Sequence, residues 1–181
     1  MKVIVVKAKL KSKIEFLKTL SDIDLEFGDI YYEHDRIFLP RGYEPAKNLP
    51  KMIVRTDINN VNKTPSYNLI LKRHIEDQRI DIVHRTGITD YSETARLLHQ
   101  IGFELFSEVT KQRQDLTMEG GIKIYVDKID GLGTYVKLCS TIEDGEDAGL
   151  VREDLEKTLD ALNIDDDSLV DDTYANLMKK K

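Results

Sequence analysis

Apolar residues recur at every second position through short stretches between Val3 and Leu138, a spacing that predicts β-strands, and the period turns helical beyond Glu143. Val3 to Ala8 reads as the first strand. Ile14, Phe16, Leu17 and Leu20 follow at helical intervals and predict a helix opened at Lys11-Ser12. Asp24 to Glu33, Met52 to Thr56, Tyr67 to Lys72 and Arg79 to Arg85 read as strands two to five. The proline-bearing stretches Pro40 to Pro50 and Asn59 to Pro65, and the polar Ile75 to Gln78, read as their connections. Asp90, with Glu93 in capping-box position, predicts a helix whose buried stripe is Leu97, Leu98 and Ile101 and which Gly102 ends. Phe103 to Leu116 is a long sixth strand.

The most strongly patterned stretch follows. Ile122 to Asp127 alternates, Asp130-Gly131 is a hairpin turn signal, and Thr134 to Leu138 is β-branched and aromatic. These make strands seven and eight. Leu150, Leu155, Leu159 and Leu162 mark a third helix. Leu169, Tyr174 and Leu177 mark a fourth, with Asp165-Asp166-Asp167 at its start and Lys179-Lys180-Lys181 at its end, as the helix dipole favours. Most of these strands are joined by turns too short for parallel crossovers, so the sheet is antiparallel. Closure into a barrel would remove its edges. The expected fold is therefore α+β: an eight-stranded antiparallel barrel with helices packed outside, formed by one domain spanning 1–181.

Composition narrows the function classes. The 181 residues are 40% hydrophobic and 33% charged, ordinary for a globular domain. A net charge of -6 argues against a nucleic-acid-binding surface. The lone cysteine, Cys139, excludes an intramolecular disulfide and suits a reducing, cytoplasmic setting. The apolar run Val3 to Val6 is too short for a signal peptide, and no stretch has the roughly 20 apolar residues of a membrane span.

Strand periodicity groups the basic residues. Lys7 shares a face with Val3 and Val5, Arg55 with Ile53, and Lys72 with Ile70 and Asn68. Lys111 and Arg113 share one with Val109, and Lys137 with Tyr135 and Cys139. If these faces line one interior, six cations there repel one another unless an anion sits among them, and phosphate is the natural partner. Alternation does not say which face is inside, and an isolated lysine in such a strand usually faces water.

Several stretches carry a family resemblance. They are Val126 to Leu138 around Gly131-Leu132-Gly133, Asp29-Ile30-Tyr31-Tyr32, Leu69 to Lys72, Lys111-Gln112-Arg113 and Tyr174-Ala175-Asn176-Leu177. Through them nearly the whole chain resembles the CYTH superfamily, the triphosphate tunnel proteins that include class IV adenylate cyclases and thiamine triphosphatases. The resemblance implies an eight-stranded tunnel and places the basic set inside it. It implies that Lys7, Arg55, Lys72, Lys111, Arg113 and Lys137 bind phosphate, that Lys7 and Lys72 have catalytic roles, and that Asp127 is a metal ligand. It also brings in Mg²⁺ or Mn²⁺ as the cofactor of an active member, and a homodimer as a common assembly.

The departures from the family pattern fall on its acidic residues. Val3 and Val5 stand where the N-terminal Glu-x-Glu-x-Lys signature has glutamates, and only Lys7 is kept. Lys137 and Cys139 stand where the eighth strand carries Glu-x-Glu. Val83 and Arg85 replace strand-five glutamates, and Ile53 replaces an arginine. A hard divalent ion needs carboxylate oxygens, so these exchanges remove the expected metal site. Asp29, Glu33, Asp81 and Asp115 lie on strands but are expected to be exposed. The first expectation is therefore a tunnel that binds a nucleotide, polyphosphate or other phosphorylated small molecule without metal-dependent catalysis. The second is an adenylate cyclase or triphosphatase with a rearranged metal site. The third is a structural or protein-binding domain with a packed lumen.

Overall fold

The computed structural model describes residues 1–43, 49–59, 63–75, 77 and 79–180. Eight strands form the barrel: β1 (Lys2–Lys9), β2 (Tyr31–Pro40), β3 (Lys51–Asn59), β4 (Pro65–Ile75), β5 (Ile80–Ile88), β6 (Phe103–Thr117), β7 (Lys123–Ile129) and β8 (Gly133–Ile142). The order around the closed sheet is β1-β5-β4-β3-β2-β6-β7-β8, and every pairing is antiparallel. The helices are α1 (Lys13–Ser21), α2 (Tyr91–Gln100), α3 (Ala148–Ala161) and α4 (Tyr174–Lys179). The fold is thus the α+β antiparallel barrel that the pattern predicts. No helix among the described residues is long and apolar enough to cross a membrane.

Two faces of the sheet bury different chemistry. Ile4, Val6 and Ala8 of β1, Ile124 and Val126 of β7, and Val136 and Leu138 of β8 point outward. They pack with Phe16 and Leu20 of α1 and Leu155 and Leu159 of α3 into the largest core. Phe38 and Val54 pack under Ala95 and Leu98 of α2. The opposite face lines the lumen. There Ile37, Ile53, Ile70, Val109, Ile129 and Tyr135 cluster with Tyr174, Ala175, Leu177 and Met178 of α4. α4 therefore closes one mouth of the barrel, and the segment leading into it is tied to β1 by the Val170 amide donating to the Lys7 carbonyl at 2.8 Å.

Local signals act as read. Ser12 caps α1 by accepting from the Glu15 amide, and Asp90 caps α2 by accepting from the Glu93 amide at 2.8 Å. In the β7–β8 turn Gly131 and Gly133 have φ of 78° and 101°, values only glycine adopts without strain.

Three expectations are corrected. β2 begins at Tyr31 rather than Asp24. Asp24 sits in a left-handed turn with φ of 58°, and the true strand has charged residues on its inward face, which hides the apolar alternation. In and just after α2, Leu97 and Ile101 are 57% and 69% exposed, whereas Leu98 is buried as expected and packs beside Ala95. Asp166–Ser168 forms a separate short turn, Asp165 pairs with Lys11 at 2.7 Å, and Thr173 caps α4. Parts of the expected connections Pro40 to Pro50, Asn59 to Pro65 and Ile75 to Gln78, and Lys181, lie outside the described residues.

Candidate functional site

Strand register brings the six expected cations onto the lumen face. Lys7 lies opposite Lys137, Arg113 opposite Asp127, Lys111 opposite Glu33, Arg55 opposite Asp35, and Lys72 opposite Val83. The same face carries carboxylates. Glu33 and Asp81, expected outside, are inward and buried, and so is Asp35, which the sequence reading did not single out. Asp29 is exposed, as expected, whereas Asp115 is half-buried and follows Arg113 on the inward face of β6. The alternation of Tyr31, Glu33, Asp35 and Ile37 would have revealed Asp35 once β2 was placed correctly. In the same way, Lys51 shares its face with Ile53 and Arg55, is buried, and was missed.

One half of the lumen is a closed ion-pair network. Arg113 donates from Nε and Nη2 to the two oxygens of Asp127 at 2.5 and 2.7 Å, and the Tyr174 hydroxyl donates to Asp127 Oδ2 at 3.0 Å. Arg55 donates to both oxygens of Asp35 at 2.6 and 2.9 Å, and Lys111 to Asp35 Oδ2 at 2.7 Å. Glu33 lies among all three cations, 3.0 Å from Arg55, 2.8 Å from Lys111 and 3.3 Å from Arg113. The Lys111 approach to Glu33 Oε2 is an ion-pair contact without hydrogen-bond alignment, which leaves that oxygen unbonded. Burial would raise the Glu33 pKa, but Arg113, Lys111 and Arg55 outweigh it and hold the carboxyl down to about 2. Burial is likewise outweighed at Asp127 by Arg113, and at Asp35 by Lys111 and Arg55, so both stay well below the usual carboxylate range. Further along the lumen, Arg85 donates to Asp57 and Asn68, each at 2.9 Å.

The other half is built of lysines. Lys137 has no carboxylate partner among the described residues; its Nζ lies 4.4 Å from the centre of the Tyr125 ring. Burial, with Arg113 nearby, lowers its pKa to about 8. Lys7 donates to the Asp172 backbone carbonyl and lies 4.7 Å from the Tyr174 ring centre. Burial and then Lys72 and Lys137 lower its pKa to about 8 as well. Lys51 lies opposite Lys72 in register, and burial followed by Lys72 lowers its pKa. Among the described residues, Lys72 alone of these four has a carboxylate, Asp81 at 2.7 Å, which it shares with His74 at 2.9 Å.

The donor set does not fit a divalent metal. Both oxygens of Asp127 are taken by Arg113 and Tyr174, and Glu33 and Asp35 are held by three cations. Val3, Val5, Lys137 and Cys139 occupy the inward positions of β1 and β8 at which carboxylate ligands were expected. Among the described residues no group of three or more histidine, cysteine or acidic side chains could hold a metal ion.

No family model matches the chain. Over 175 residues, 95% of each chain, it is 22% identical to a candidate adenylate cyclase of Methanocaldococcus jannaschii. Its fold superposes on a Pyrococcus horikoshii protein with a TM-score of 0.84 at 20% identity, covering 99% of both chains. It also superposes, with a TM-score of 0.64 at 16% identity over 99% of this chain and 96% of the other, on a candidate adenylyl cyclase from Hippeastrum described as having a dominant triphosphatase activity. These structural similarities establish a shared fold, the closed eight-stranded antiparallel barrel with basic residues inside that the resemblance to the CYTH superfamily implies.

Proposed function

We propose that the lumen binds a phosphorylated small molecule through its lysine-lined half and that no metal-dependent step takes place there. The observation that carries this reading is the pair Lys7 and Lys137, opposite each other in register, half-buried and without carboxylate partners among the described residues. Such lysines are costly to bury as ammonium ions, and a phosphate among them relieves the cost through charge-assisted hydrogen bonds. The lysine ammoniums would orient the anion and exclude water by enclosing it. Arg55, Lys111 and Arg113, the other expected phosphate ligands, are saturated by Asp35, Glu33 and Asp127 and would act as the rigid wall behind it.

Isothermal titration at low salt with a panel of nucleotides and inorganic phosphates tests the proposal. Saturable binding, weakened at least tenfold in Lys137→Met, is expected; absence of binding by every compound refutes it and favours a packed, structural lumen.

A second reading is an active adenylate cyclase or triphosphatase, favoured by the similarity over 95% of the chain to the Methanocaldococcus jannaschii protein. Release of phosphate, pyrophosphate or cyclic nucleotide with Mg²⁺ or Mn²⁺, abolished by Lys72→Ala, would favour this reading over the first.

A further inference from the structure

Resting on the reading that the lumen binds a phosphorylated molecule, we infer that it takes a short anion, a terminal phosphate or a diphosphate group, and takes it without a divalent ion. The division of charge inside the barrel carries this. Arg55, Lys111, Arg113 and Arg85 are matched one for one by Asp35, Glu33, Asp127 and Asp57. Among the described residues, Asp81 on Lys72 is the one strand carboxylate in ion-pair contact with the set Lys7, Lys51, Lys72 and Lys137. Counting Asp115, half-buried on the inward face of β6, the surplus is two positive charges, centred on β1, β8 and the adjoining ends of β3 and β4. A phosphate monoester carries close to two negative charges near neutral pH, and a diphosphate somewhat more, so either balances that surplus.

A longer chain would have to continue toward β2, β6 and β7. The groups it meets there are Arg113 and Arg55, whose bidentate hydrogen bonds are committed to Asp127 and Asp35. Beside them Glu33, buried and ionised among three cations, repels any added phosphoryl group. Breaking a buried pair to free an arginine strands the carboxylate, which is strongly unfavourable. The carboxylates are already engaged by the arginines and Lys111, so a bridging metal ion would have to compete with them for ligands and would be repelled by the surplus lysine charge.

α4 limits reach from its side of the barrel. The Asp172 carbonyl accepts from Lys7, and Tyr174 spans from Lys7 to Asp127. The Asp172 carboxylate is itself held by Lys180 at 2.6 Å and Asn176 at 2.9 Å, so it does not neutralise the lumen lysines. A phosphate arriving at Lys7 replaces a peptide carbonyl, a weaker acceptor for an ammonium than a phosphate oxygen.

The test is a titration series of orthophosphate, pyrophosphate and tripolyphosphate into the full chain at pH 7, once with a chelator and once with excess Mg²⁺. Pyrophosphate and tripolyphosphate are expected to bind within about threefold of each other, and Mg²⁺ to weaken both by competing for the anion. An increase of tenfold or more from pyrophosphate to tripolyphosphate, or binding only with Mg²⁺, overturns this inference while leaving phosphate binding itself standing. No binding by any of the three overturns both. In Lys51→Met, a loss of at least fivefold for pyrophosphate supports the placement of the site, and unchanged binding refutes it.

Discussion

The two halves of the lumen solve the same electrostatic problem in opposite ways. On β2, β3, β6 and β7 every inward arginine has a carboxylate within hydrogen-bonding distance, and the carboxylates are held ionised by their neighbours. On β1 and β8 the inward lysines Lys7 and Lys137 meet, among the described residues, a backbone carbonyl and aromatic rings rather than carboxylates, and their ammoniums are destabilised. The first half pairs its charges internally, and the second leaves lysines without carboxylate partners among the described residues. A polar interior is therefore no evidence of a binding site by itself. The informative residues are those whose charge the fold leaves uncompensated.

The largest expected effect breaks the complete half. Asp35→Ala leaves Arg55 and Lys111 buried with only Glu33 between them, and should cost roughly 3–5 kcal/mol of unfolding free energy in urea titration. A cost below about 1 kcal/mol would mean that the network is solvated and the contrast between halves is false.

The incomplete half should respond with the opposite sign. Lys137→Met removes an ammonium whose pKa is held near 8, against 10.5 for a free lysine, and is expected to stabilise the ligand-free protein at pH 7 by on the order of 1–3 kcal/mol. The unfolded chain keeps this lysine protonated up to its ordinary pKa, whereas the folded chain releases the proton at about 8. The penalty is thus fully present below pH 8 and fades between about pH 8 and 10.5, so the advantage of the variant should shrink over that window. Phosphate affinity should fall over the same rise in pH.

Acid sharpens the comparison further. Glu33 has a folded pKa of about 2 against an ordinary 4.5, so its contribution is present above about pH 4.5 and is lost as pH falls toward 2. Asp35 and Asp127 act in the same direction. Thermal unfolding should show a steep loss of stability below pH 4.5 that Lys137→Met does not alter. The smallest effect is expected outside the barrel. Leu97→Gln, on the exposed face of α2, should change stability by less than about 0.5 kcal/mol.

How much of this was legible follows from what each strand shows on its two faces. β1, β7 and β8 pack apolar residues under helices and alternate, so all three were found, β1 and β7 to within a residue or two and β8 four residues short of Ile142. β2 presents Glu33 and Asp35 inward and His34 and Arg36 outward, so no apolar period marks its first half and it was placed too early. That misplacement hid Asp35. Lys51 fell at the edge of a strand expected to start at Met52. Composition could count the cations but could not pair them, because pairing depends on which strands become neighbours. β2 lies beside β6 rather than β1, and this brings Glu33 to Lys111. Helix faces were misjudged where small residues do the packing, as with Ala95 in α2.

The central claim is that the lysine half alone receives the ligand. The measurement that reaches it most directly is calorimetric titration of pyrophosphate, in chelator at pH 7, into the wild-type chain and a Lys7→Met/Lys137→Met variant whose unfolding confirms an intact barrel. The account predicts saturable binding in the wild type and its loss in the variant, with the variant the more stable of the two when free. Equal binding by both proteins would contradict it.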